Sequence, residues 1–152
     1  MAGRKSKTIT ISDHGSRDRG KVFLITELPA SLAEDWALRA IRLAQRAGAD
    51  VPEGIQGGMA GIAAVGILTV LSGADDVDQL RPLLSEMMDC VQIVTDPKTG
   101  FARKLVQDGV NEDIEEIRTR IMLRKEWLNV HLDFSIADAL SELIEKKPSA
   151  VS

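Results

Sequence analysis

The stretch NEDIEEIRTRIMLRKEWLNVHL (Asn111–Leu132) decides how the chain is read. Its acids come first (Glu112, Asp113, Glu115, Glu116) and its bases later (Arg118, Arg120, Arg124, Lys125), the order that a helix macrodipole favours. At 100° per residue, Ile114, Ile117, Ile121, Leu128 and Leu132 share one face, and Leu123, Trp127, Val130 and Phe134 share nearly the opposite one. A long helix that is apolar on two sides is either sandwiched between layers or packs its core with one side and meets a partner with the other. Both alternatives stand at this point. On the second, Leu123, Trp127, Val130 and Phe134 are the candidate partner-binding residues, with Trp127 the aromatic anchor.

Working outward, a second helix is written around residues 31–47. Ser31-Leu32-Ala33-Glu34 has capping-box spacing behind Pro29, and Leu32, Trp36, Ala40, Leu43 and Ala47 form a stripe ended by Gly48. A third helix is expected over about 75–91, with Pro82 as a potential break and Leu80, Leu83, Leu84, Met87, Met88 and Val91 as its apolar positions. A fourth, from Ser135 to about Lys146, follows the long one. Strand signals are shorter. Thr8–Ile11 alternates, Lys21–Ile25 is rich in strand formers, and the polar stretch Ser12–Gly20 lies between them. Val91–Val94, the turn Asp96–Gly100 and Phe101–Val106 suggest a second hairpin. The expected fold is therefore mainly α (α+β): a single domain over 8–146 with one or two small antiparallel hairpins at 8–25 and 91–106. Residues 1–7 read as a disordered basic leader and 147–152 as a frayed end.

Composition limits the function classes. The 152 residues are 44% apolar and 28% charged, a globular balance, with net charge −4. Residues 1–21 hold six of the 19 Lys/Arg and two of the 23 acids, which leaves 13 against 21 on the rest. An acidic body with five aromatic residues and no Tyr is a poor platform for base stacking, so nucleic acid is an unfavoured partner. Ile55–Leu71 is nearly free of polar side chains, but it is rich in Gly and flanked by acids. It reads as a buried core helix, not a membrane span. Gly57 and Gly61 within it have the spacing that lets helices approach closely, in a core or across a homo-oligomer interface.

Catalytic and metal-binding patterns are missing from the sequence. His14 and His131 have no neighbouring ligand at metal spacing, and Cys90 stands alone. Asp75, Asp76 and Asp78 lack the Gly and terminal Glu of a calcium loop. No nucleophile elbow, phosphate loop or dinucleotide fingerprint is present. The expectation is a binding protein with no enzyme activity, metal or cofactor.

Several stretches together resemble the tail assembly chaperones of long-tailed bacteriophages and prophages. They are FLITELPA (Phe23–Ala30) leading into AEDWA (Ala33–Ala37), GMAG (Gly58–Gly61), LSEMMDCVQI (Leu84–Ile93) and DIEEI (Asp113–Ile117) with the helix behind it. The similarity spans about residues 21–137. It implies a protein that keeps the long helical tape measure protein soluble and helps recruit tail tube protein around it. Such a protein works in the bacterial host cytoplasm and is absent from the mature virion. Some members of the family also exist in a longer frameshifted form, and EKKP (Glu145–Pro148) lies where such a slip would fall. The resemblance brings no motif residues to carry across as a site. A structural tail or adaptor subunit of the virion is the alternative, and a small DNA-binding regulator using Arg4, Lys5, Lys7 and the Arg118–Lys125 helix a more distant one.

Overall fold

Val22-Phe23-Leu24-Ile25-Thr26 combines β-branched and aromatic side chains, which fit a pleated, half-buried surface better than a helix. In the computed structural model of the protein this run is β2 (Val22–Thr26), one of the two inner strands of a sheet. The structure describes residues 3–46 and 77–131. β1 (Ser6–Thr10) runs antiparallel along one edge of β2, with Ile9 opposite Phe23. β3 (Val91–Asp96) runs antiparallel along the other edge, with Ile93 opposite Phe23 and Val91 opposite Ile25. β4 (Phe101–Lys104) completes the order β1-β2-β3-β4. Ile9, Phe23, Ile25, Val91 and Ile93 are all buried, so one face of the sheet carries an apolar layer across three strands.

Two turns fix the registers. Beyond β1, Ile11 continues the pairing: its amide donates to the Lys21 carbonyl at 3.0 Å, and Gly20 N–H returns to the Ile11 carbonyl at 2.8 Å. Between β3 and β4, Gly100 sits at φ 75° and donates to the Asp96 carbonyl at 2.8 Å, while the Asp96 carboxylate accepts from Lys98 N–H at 3.0 Å. A register shift between Val94 and Asp96 marks a bulge beside this turn.

The chain is thus α+β, and the expectation of a mainly α protein with small hairpins is corrected. β2 and β3 pair with each other, so four strands form one continuous antiparallel sheet that serves as a structural layer. The physical reason is that an isolated hairpin leaves its outer edges unpaired and is marginal in water. Pairing β2 with β3 satisfies one edge of each hairpin and leaves β1 and β4 as the edges of the sheet.

By Cα proximity the chain divides into two compact units, Met1–Pro29 with Leu84–Val130 and Ala30–Leu83 with His131–Ser152. In the second, α1 (Ala30–Arg46) buries Trp36, Ala37, Ala40 and Leu43, and the Trp36 indole N–H donates to the Leu83 carbonyl at 3.1 Å. α1 begins at Ala30, so Ser31 lies in its first turn and not at the expected N-cap; Leu32, placed on the apolar stripe, is exposed. α2 (Val77–Asp89) continues through Pro82 without a break, burying Leu80 and Leu83 in the second unit and Met87 and Met88 in the first. The expected helices at 55–71 and 135–146, the frayed 147–152, and the glycines at 57 and 61 lie outside the described residues.

Within the expected disordered leader, residues 5–7 are paired. Lys5 N–H donates to Glu27 Oε1 at 2.8 Å, Glu27 N–H returns to the Lys5 carbonyl at 2.9 Å, and Ser6 and Lys7 are strand residues of β1. Lys7 Nζ reaches Glu126 Oε2 at 2.5 Å. Cross-strand pairing, which a run of Arg, Lys and Ser does not advertise, orders these residues.

Candidate functional site

The long helix, α3, spans Ile117–His131, starting six residues later than the sequence suggests. Acids within and just before this segment make bonds that compete with helix. Asp108 Oδ1 accepts from Val110 N–H at 2.8 Å and Asn111 N–H at 2.5 Å. The Asp113 carboxylate takes both Arg103 Nη1 and Nη2 at 2.8 Å and Val106 N–H at 2.7 Å. The Arg103 guanidinium, helped by the Val106 amide, holds the Asp113 carboxyl below its usual range against the opposing effect of burial.

What starts and orients α3 is Asp18, from the loop between β1 and β2. It is fully buried, and its two carboxylate oxygens accept from Glu115 N–H at 2.8 Å, Glu116 N–H at 2.9 Å, Thr119 Oγ1 at 2.7 Å and Lys21 Nζ at 3.0 Å. These amides are the orphan donors of a helix N-terminus, satisfied here by a residue about a hundred positions away in sequence. Burial pushes the Asp18 carboxyl up, but the accepted hydrogen bonds outweigh it and bring the pKa to about 2. Neighbours reinforce the docking. Arg17 Nε donates to Glu116 Oε1 at 3.0 Å, Arg17 Nη2 to the Glu115 carbonyl at 2.9 Å, and Lys21 Nζ to the Asp113 carbonyl at 2.7 Å. Every oxygen of Asp18 is engaged, so it is a structural anion and not an available base.

With its start fixed this way, α3 turns its two apolar faces to different environments. Leu123, Trp127 and Val130 have 0%, 2% and 8% of their surface exposed. They are core side chains, so three of the four candidate partner contacts are withdrawn from solvent; Phe134 lies outside the described residues. On the other side Ile117 and Ile121 are 78% and 60% exposed, one turn apart, while Leu128 farther along is buried. Arg118 and Lys125 flank the exposed pair on one edge and Arg120 and Arg124 on the other. Arg120 Nη1 donates to Gln107 Oε1 at 2.9 Å. Arg124 is half-buried, and its Nε meets the Leu84 carbonyl at 3.4 Å. Burial, and then the charge of Arg120, pull its pKa down to about 10.

Met87 and Met88 are buried and Met122 is half-buried. Cys90 is a half-buried thiol donating to the Glu86 carbonyl at 3.6 Å. Burial pushes its pKa up, the Trp127 hydrogen bond pulls it partly back, and the Asp89 and Glu86 charges push it up again. His14 Nδ1 lies 3.0 Å from Arg19 Nη1. Among the described residues no group of three or more His, Cys, Asp or Glu is arranged to hold a metal ion. Among the same residues no helix is long and apolar enough to cross a membrane.

Sequence reasoning passed over the Asp18 cap and the basic flanks of the exposed α3 face. Asp18 lies in a loop with another Asp and two Gly, and nothing local separates it from Asp13. The flanking bases were visible, but their position relative to the apolar residues depends on which face of α3 is buried. Compared with models of protein families, with curated proteins and with solved structures, the chain shows no significant match to any.

Proposed function

We propose that this chain is a phage tail assembly chaperone, holding tape measure protein soluble by apolar contact and helping recruit tail tube subunits. The reading starts from the resemblance over about residues 21–137. One structural observation supports it: Ile117 and Ile121 stand exposed, one turn apart, on a helix whose opposite face is core. A holdase needs accessible apolar surface on a framework that stays folded without its client, and scattered single exposed side chains do not supply it. The buried Leu123, Trp127 and Val130 are the framework, so the partner face moves from them to Ile117 and Ile121. Under this reading the protein acts in the host cytoplasm and is absent from finished particles.

Co-expression with the tape measure protein encoded nearby tests the proposal. The expected result is soluble tape measure protein that co-purifies with the chain. Failure to rescue or capture any of several tape measure fragments refutes the chaperone reading. Recovery of the chain from purified virions supports a structural tail subunit instead.

A further inference from the structure

Building on the chaperone reading, we infer that the exposed face of α3 docks an acidic amphipathic helix of its client, with Ile117 and Ile121 as the apolar centre and Arg118, Arg124 and Lys125 as the charged rim. The apolar pair supplies contact and the bases supply selection. α3 carries Arg118, Arg120, Arg124 and Lys125 against one acid, Glu126. That acid is already held by Lys7. The acids just before the helix are held too: Glu116 Oε1 lies 3.0 Å from Arg17 Nε, and Glu115 Oε2 lies 3.9 Å from Arg17 Nη1. The exposed face is thus a positive stripe on a chain whose residues beyond 21 carry 13 bases against 21 acids.

A client helix with Leu or Ile along one stripe and Glu or Asp on its borders complements this face in shape and charge. A basic client would be repelled. Arg124 is the sharpest part of the selection. Its guanidinium is half-buried and meets a carbonyl, a setting in which an incoming carboxylate gains more than it would against a fully solvated Lys. Duplex DNA fits less well, because the centre of the face is two isoleucines and a phosphate backbone offers them nothing.

The test uses the full chain and two synthetic helical peptides that share a Leu stripe, one bordered by Glu and its twin by Lys. Fluorescence anisotropy should show binding of the acidic peptide, weakening steeply with salt, and little binding of the basic twin. Ile117→Ser/Ile121→Ser and Arg118→Glu/Lys125→Glu should each weaken binding at least about tenfold, and the second should turn the preference toward the basic twin. All four side chains are exposed, so melting temperatures should stay within about 2 °C of the parent. Equal binding of the two peptides, variants that bind like the parent, or duplex DNA outcompeting the acidic peptide would each overturn the inference. The co-expression test separates this from the underlying reading. Tape measure captured by a chain that ignores the acidic peptide keeps the chaperone and discards this face. Acidic peptide bound by a chain that captures no tape measure fragment keeps the face and discards the chaperone.

Discussion

Asp18→Asn is the most informative single substitution for the fold, because it keeps the shape and removes the charge that starts α3. In the folded chain the carboxyl sits at about 2, against 3.8 for a free Asp. That difference corresponds to roughly 2–3 kcal/mol of stability at neutral pH. For comparison, losing a helix N-cap costs about 0.5–2 kcal/mol, and a hydrogen bond to a charged group is worth about 1.5–3. Asparagine keeps one acceptor oxygen but turns an NH₂ group toward donors, either Glu115 N–H and Lys21 Nζ at the Oδ1 position or Glu116 N–H and the Thr119 hydroxyl at the Oδ2 position. For a chain of this length the melting temperature should fall by roughly 5–10 °C, and the urea midpoint by about 1 M.

The pH dependence carries the sign. The Asp18 pKa is depressed on folding, so its contribution is complete above about pH 4 and is lost as pH falls toward 2. Urea titrations of parent and variant at pH 7, 4 and 2.5 should therefore show a gap that is constant over the first interval and narrows over the second. Equal midpoints at pH 7, or a gap unchanged at pH 2.5, would refute the idea that this carboxylate anchors α3.

The other predictions concern the same unit. Trp127→Ala should destabilise by about 3–5 kcal/mol, because the side chain is core; a variant that melts like the parent would return this residue to the list of partner contacts. Removing residues 1–7 should lower the melting temperature by several degrees, since it deletes two β1 residues, the Lys5–Glu27 backbone pairing and the Lys7–Glu126 ion pair. An unchanged melting temperature would restore the disordered leader. Cys90 should react with an aromatic disulfide reagent at pH 8 at least about tenfold more slowly in the folded chain than in urea, as its half-burial and raised pKa both reduce available thiolate. Equal rates would place the thiol in solvent.

Local periodicity reached some of the fold and stopped where partners had to be chosen. Val22–Ile25 and Val91–Val94 carry strand-forming side chains and both lie in strands. Nothing in either run says that it pairs with the other, and that one pairing turns two hairpins into a sheet and changes the fold class. Helix boundaries failed for a related reason. The acids from Glu112 to Glu116 suit a helix N-terminus equally well as its first turns or as the segment docked in front of it. Contacts from distant segments, Asp18 foremost with Arg17, Lys21 and Arg103, select the second.

The same distant contact explains why the candidate site could not be assigned to the correct side of α3. A helix with apolar residues on two faces has two nearly equivalent orientations by hydrophobic burial alone. Facing Leu123, Trp127 and Val130 inward buries an indole and a branched pair. Facing Ile117 and Ile121 inward, on the side where Leu128 is already buried, would also remove apolar surface from water. What separates the two is Thr119, whose hydroxyl must reach the Asp18 carboxylate at 2.7 Å and which lies on the same side as Leu123. With that bond made, Ile117 and Ile121 are left outside between Arg118, Lys125 and Arg124, and the chain acquires an exposed apolar pair with a basic border. The orientation that stabilises the fold therefore also creates the surface on which the proposed function depends. Asp18→Asn should accordingly weaken client binding as well as stability, although Asp18 itself is fully buried and cannot touch a client.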